Sequence, residues 1–268
     1  VTVIGILAAM VLGALQAARE TARTAKTRAT ISKLHNIVMG MYESYRTRRV
    51  PINTISMAPS VAAQARLYAL RDIMRMEMPE RMTDISNGPV FLTSRPALSQ
   101  AYLNHLNGKS LASNAPAQCL YMIVTIACRA RGQFSENEIS LDPDGNGNDF
   151  PAFIDGWGHP IYFLRWAPGF MDSDIQWNYV AGQTGTAATT DHDPFDPRGA
   201  DPNAWRLVPL IYSAGPDGQY GIAEDSSSGS PYTWNNDTYT RSPPWGSPDS
   251  TNGRLDNLHN HRLQGNQK

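Results

Sequence analysis

Residues 1–15 (VTVIGILAAMVLGAL) carry no charge, and Thr2 is the one polar side chain among them. At 1.5 Å per residue this run reaches about 22 Å, short of the roughly 30 Å of hydrocarbon in a bilayer. After Leu15 the apolar positions become periodic: Ile31, Leu34, Ile37, Val38, Met41, Tyr42 and Tyr45 recur at helical spacing, while Arg19, Arg23, Lys26, Arg28 and Lys33 take the remaining surface. No proline interrupts residues 16–45. The pattern predicts one helix of about 45 residues, roughly 65 Å long by its rise. Its first third is apolar all round, and its back half is amphipathic and predicted to pack on a head. The sequence opens on Val1 without a basic segment, unlike a complete signal peptide, so further apolar residues are expected upstream.

Helical spacing returns in residues 60–78, 97–106 and 115–129, joined by polar turns such as Asn87-Gly88-Pro89. Met74, Met76 and Met78 read as flexible core filling rather than metal ligands. From residue 136 Gly, Pro, Asp and Asn dominate, and the short apolar runs 160–167 and 207–213 predict strands. The loops between these runs, and again over 224–257, are longer than compact domains usually carry without a reason. The expected fold is therefore α+β: a long N-terminal helix over 1–49, a helical insertion over 50–135, and a loop-rich head with a small antiparallel sheet over 136–268.

Charge divides along the same lines. Residues 1–50 hold eight Lys/Arg against two Asp/Glu, and the remainder holds 15 against 22. A basic stalk carrying an acidic head, close to neutral overall, argues against a nucleic-acid partner and for contact with acidic lipid or neighbouring subunits. The two cysteines, Cys119 and Cys128, fall within one predicted helix, on opposite faces and about 13 Å apart along its axis, so they are expected to be buried thiols and not a disulfide. No P-loop, dinucleotide fingerprint, nucleophile elbow or H-E-x-x-H is present. The best hydrolytic metal constellation, His192 between Asp191 and Asp193 with His259 and His261, reads more simply as solvated turns, and no enzyme is expected.

Gly5, Ala9 and Gly13 recur every four residues and give the apolar run a small-residue face suited to helix association. Hydropathy alone fits a membrane anchor equally well. The run Ile4-Gly5-Ile6-Leu7-Ala8-Ala9, with Leu12, Ala14 and Leu15 after it, resembles the N-terminal helix of type IV pilins and type II secretion pseudopilins. In that family the helix follows a short leader peptide, which is cut, and identical subunits leave the inner membrane to stack these helices into a filament core. The resemblance implies core packing by Val1, Val3, Ile4, Gly5, Ile6, Leu7, Ala9, Met10, Val11, Leu12, Gly13 and Leu15. The family's Phe-Thr-Leu-x-Glu start would lie just upstream of Val1, and Gly13 stands where many pilins carry a helix-kinking proline. A minor pilin or anchored surface adhesin is the alternative, with a glycan recognised by loops bearing Trp157, Trp166, Trp177, Trp205, Trp234 and Trp245. Packing among Gly-rich loops is the commoner use of such rings.

Two segments are candidates for calcium. Asp142, Asp144, Asn146 and Asn148 place oxygen ligands at alternate positions, as a loop wrapping a hard cation does, although the distal Glu of an EF-hand is missing. Residues 213–221 (SAGPDGQYG), with Asp225 and then Asp256-Asn257, resemble the calcium loop of the type II secretion major pseudopilin, which implies ligand roles for Asp217 and Asp225. Asp155-Gly156-Trp157-Gly158-His159-Pro160 likewise resembles that family's Asp-Pro-Trp-Gly-Asn-Pro, with Gly156 for Pro and His159 for Asn. The resemblance covers the stalk and both ends of the head, and not residues 50–135. Asn236-Asp237-Thr238 and the serines of 226–230 offer sites for glycan modification.

Overall fold

The computed structural model describes residues 2–111, 114–143, 145, 150–177, 184–223, 244–249 and 253–262, with side chains at all of these except 2–9 and 184–186. The fold is mixed α+β. Its first element, α1 (Thr2–Ser44), is a single 43-residue helix that tightens into a 3-10 turn at Tyr45–Thr47. The amphipathic stripe faces inward as its spacing predicts: Ile31, Leu34, Val38, Tyr42 and Tyr45 are buried, with Ile37 and Met41 partly covered. Residues 10–23 are exposed, and Thr27 is the first fully covered side chain on the helix.

The helical middle follows as α2 (Pro59–Glu77), α3 (Met82–Ser86), α4 (Ala97–Leu106) and α5 (Ala115–Met122). Pro59 opens α2, where a proline's fixed φ suits the first turn and its missing N–H leaves no bond unmade. Asn107 closes α4 in the left-handed conformation at φ 48°. The helix expected over 115–129 is α-helical only to Met122, after which Ile123–Ala127 widens into a π turn. Cys119 is buried, Cys128 is partly covered, and both thiols are free.

The expected strands are present but short. A two-stranded antiparallel ladder joins β1 (Ile139–Ser140) to β2 (Ala152–Phe153). A three-stranded antiparallel sheet has β4 (Leu210–Ser213) between β3 (Tyr162–Leu164) and β5 (Leu258–His259), in the register Tyr162↔Tyr212↔His259. A further helix, α6 (Thr184–Thr190), lies in the connection from β3 to β4.

One apolar cluster draws on every part of the chain: Ile31 and Leu34 of α1, Ile73 of α2, Ile123 of the π turn, Phe163 of β3 and Ile211 of β4. Met74, Met76 and Met78 are buried, as core filling requires. Polar bonds tie distant segments across this core. Asn260 Nδ2 donates to His35 Nδ1 at 2.9 Å and to Pro209 O at 2.8 Å, while its Oδ1 accepts from Ile211 N.

Charges are buried beside the apolar cluster. Arg165 is fully enclosed; its Nη1 donates to Met78 O at 2.6 Å and to Asp84 Oδ2 at 3.3 Å, and its backbone N–H donates to Glu80 Oε2 at 2.6 Å. Its guanidinium also lies 4.3 Å from the Trp166 ring centre. Arg75 pairs with Asp72 at 2.8 Å, and Arg71 bridges Asp193 and Asp201. Burial pushes the Glu80 carboxyl above the usual carboxylate range, against the pull of Arg165. Glu138 behaves differently. Its partial burial is outweighed by bonds from Ser135 N, Lys33, Thr30 and Ser135 Oγ, which hold its pKa at about 2 and fasten α1 to the turn before β1.

Candidate functional site

α1 meets the body at a defined level. Trp157 Nε1 donates to Glu20 Oε2 at 2.8 Å, and Lys26 Nζ donates to Asn137 O at 2.7 Å. On the N-terminal side of Glu20, the 18 residues of α1 from Thr2 extend about 27 Å at 1.5 Å per residue. Of the predicted packing residues with described side chains, Met10, Val11, Leu12 and Leu15 are 67, 66, 60 and 45% exposed. Gly13 lies within the unbroken helix. Val1 lies outside the described residues; Val3, Ile4, Gly5, Ile6, Leu7 and Ala9 are placed in the helix by backbone alone. Among the described residues no helix is long and apolar enough to cross a membrane.

The turn beneath this junction explains one departure from the pseudopilin pattern. Gly156 N donates to Thr27 Oγ1 at 2.8 Å, a bond that proline could not make. A Cβ at Gly156 would stand 2.5 Å from Arg23 O, so neither proline nor alanine fits against α1. Asp155 shapes the turn. Its Oδ1 accepts from the backbone N–H groups of Trp157, Gly158 and His159 at 2.8, 2.8 and 2.9 Å, and its Oδ2 accepts from Ser213 Oγ at 2.6 Å. With its lone pairs engaged, Asp155 orients the loop rather than binding a ligand.

His159 carries the turn into the second candidate region, donating from Nδ1 to Gly215 O at 3.0 Å. Gly215 adopts φ +67°, and a Cβ there would lie 2.6 Å from Asp256 O, so the 3-10 turn Gly253–Asp256 passes directly over the loop. This crossing sets Asp217 beside Asp256: Asp217 N donates to Asp256 Oδ2 at 3.4 Å, and Asp217 Oδ1 accepts from Gln219 N. Partial burial, and after it the charge of Asp217, raise the pKa of Asp256. A pair of facing carboxylates suits a hard cation, whose charge would relieve their repulsion. Asp225, Asp144, Asn146 and Asn148 lie outside the described residues, and Asp142 is half-buried with its carbonyl in a turn to Gly145 N. Among the described residues no group of three His, Cys, Asp or Glu side chains is arranged to hold a metal ion.

The histidines do not converge. His192 Nε2 lies 3.1 Å from Asp196 O, Asp191 pairs with Arg206, and Asp193 pairs with Arg71. His261 is enclosed between Ser173 Oγ and Pro209 O, and burial lowers its pKa to about 3 and that of His259 to about 4. Trp166, Trp205 and Trp245 are core residues, closed to a sugar; Trp157 and Trp177 are partly covered, and Trp234 lies outside the described residues. Sequence reasoning missed the Glu20–Trp157 junction, since neither residue belongs to a periodic pattern. The sequence grouped Asp256 with the loop that holds Asp217, and their contact, across 39 positions, is the Asp217 backbone N–H on the Asp256 carboxylate. No protein-family model, no curated protein and no solved structure matches the chain.

Proposed function

We propose that this chain is the structural subunit of a type IV pilus-like or type II secretion pseudopilus-like filament. It would polymerise through the N-terminal part of α1 and carry its head on the outer side of the inner membrane, in the periplasm or at the cell surface. The observation that supports this reading is the exposed apolar stretch of α1 beyond Glu20, with Met10, Val11, Leu12 and Leu15 turned to solvent in the single chain. Covering each of these against neighbouring copies would stabilise an assembly by roughly 1–2 kcal/mol. The small-residue face at Gly5, Ala9 and Gly13 would let such helices approach closely. The basic stalk and acidic head give successive copies complementary charge. Calcium is assigned to the loop crossing, with Asp217 and Asp256 as the carboxylate donors among the described residues.

Electron microscopy of cells or purified filaments carrying Leu7→Asp or Val11→Asp tests the proposal. Loss of filaments, with the head still folded by circular dichroism and protease resistance, is the expected result. Normal filaments from both variants would overturn it.

A further inference from the structure

At the other end of α1 from the exposed apolar turns lies a cleft of about 810 Å³, a size common for small-molecule sites. Ile37, Met41, Ile73, Leu92 and Leu98 give it an apolar floor. Around the floor stand three guanidiniums, Arg48, Arg49 and Arg95, against a single carboxylate, Glu77. Glu77 is already engaged, accepting from Arg48 Nη2 at 2.8 Å and from Tyr45 OH at 2.9 Å. Arg95 has only neutral partners: Ile85 O, Ser86 O, Asn87 O and Ser99 Oγ, at 2.7 to 3.1 Å. Arg49 is exposed and forms no ion pair with a described residue. The cleft thus carries a surplus of two positive charges beside an apolar surface.

We infer that this cleft binds a single-chain amphiphile with an anionic head group, its hydrocarbon tail on the Ile37–Met41–Leu98 floor and its head on Arg49, within reach of the added charge of Arg95. The pairing follows from what each part lacks. The floor leaves Ile37, Met41 and Leu98 only partly covered, and the two guanidiniums have no carboxylate opposite them. A carboxylate head supplies two acceptors in the geometry that the Arg49 guanidinium prefers, while Arg95, whose four Nη hydrogens already go to Ile85 O, Ser99 Oγ, Ser86 O and Asn87 O, adds charge alone. Inorganic anions would meet the charge but leave the floor wet, and a cationic amphiphile would cover the floor but meet Arg49 and Arg95 with like charge.

Cys128 lines the same cleft, and Cys119 is fully buried elsewhere, which makes the two thiols a built-in reporter and control. The whole protein is treated with N-ethylmaleimide in the presence of dodecanoate, dodecyltrimethylammonium or inorganic phosphate, each below any micelle concentration, and alkylation is followed by mass spectrometry. Dodecanoate is expected to slow modification of Cys128 at least tenfold, with the other two changing it less than twofold and Cys119 unmodified throughout. Equal protection by both amphiphiles, or protection by neither, would overturn the assignment. Calorimetry supplies an independent reading. Affinity should rise about fourfold for each CH₂ between octanoate and dodecanoate, and should fall at least tenfold in Arg49→Glu, a solvent-facing change not expected to disturb folding. Flat affinity along the series, or unchanged binding by Arg49→Glu, would count against the cleft as the site.

Discussion

The Trp157 indole and the Glu20 carboxylate meet at 2.8 Å, and their contact sets the level at which α1 leaves the body. The bond is solvent-exposed and contributes little to stability by itself, about 1 kcal/mol or less. Beside it, a Cβ added at Gly156 would stand 2.5 Å from Arg23 O, so a side chain there must displace the turn or α1. Gly156→Ala is expected to lower stability by about 1–3 kcal/mol, and Gly156→Pro by more, because the bond to Thr27 Oγ1 goes as well. Urea denaturation checks both; equal stability of Gly156→Ala and the parent would show that the turn can shift.

Arg165 is the residue whose removal should be felt most. Replacing it with Met takes the guanidinium from the enclosed Glu80 and leaves Asp84 with Arg81 and Arg75 alone, and breaking a buried pair in this way costs about 3–5 kcal/mol. A melting curve for Arg165→Met beside that of the exposed control Arg206→Met measures the difference. Similar losses in the two variants would contradict the assignment.

The buried histidines make a pH prediction. His259 and His261 have native pKa values of about 4 and about 3, below the 6.5 expected when unfolded, so the unfolded chain binds more protons between those values. Their contribution is fully present above pH 6.5 and is lost as pH falls toward 4 and 3, amounting at pH 5 to roughly 2 kcal/mol for each. Glu80 and Asp193, raised chiefly by burial, oppose this trend in acid. The test is therefore a difference: the stability drop from pH 7 to pH 5 should be smaller in a His259→Gln/His261→Gln variant than in the parent.

Calcium at the loop crossing would have to act on Asp256, whose pKa is raised by burial and by Asp217. Added calcium is expected to raise the melting temperature and the protease resistance of the C-terminal region, and Asp217→Asn should abolish both gains. At a hundredfold excess over its dissociation constant a bound ion stabilises by about 2.7 kcal/mol. A chelator that leaves both properties of the parent unchanged would remove calcium from the reading.

Elements with a long repeating pattern were legible in the sequence. The stripe from Ile31 to Tyr45 marks the buried face of α1, and the apolar runs 160–167 and 207–213 hold β3 and β4. What escaped was set by context. α3 has five residues, too few to show a period, and the π turn at Ile123–Ala127 follows an apolar spacing that an α-helix would share. The cleft rim combines Arg49, at the start of the connection to α2, with Arg95 ahead of α4, and only tertiary packing brings them together. The candidate calcium pair was half visible. Asp217 sits in a recognisable Gly-rich loop, whereas its nearness to Asp256 depends on how the chain returns over Gly215.

The bond between Asn260 and His35 spans 225 positions. During synthesis, that side of α1 must wait for a residue made 225 positions later before it is closed. Contacts of such sequence separation form slowly, and during the delay the stripe from Ile31 to Tyr45 stays available to any apolar surface nearby. A nascent chain of this design therefore gains from a holding environment, whether lipid or a chaperone, until Asn260 arrives.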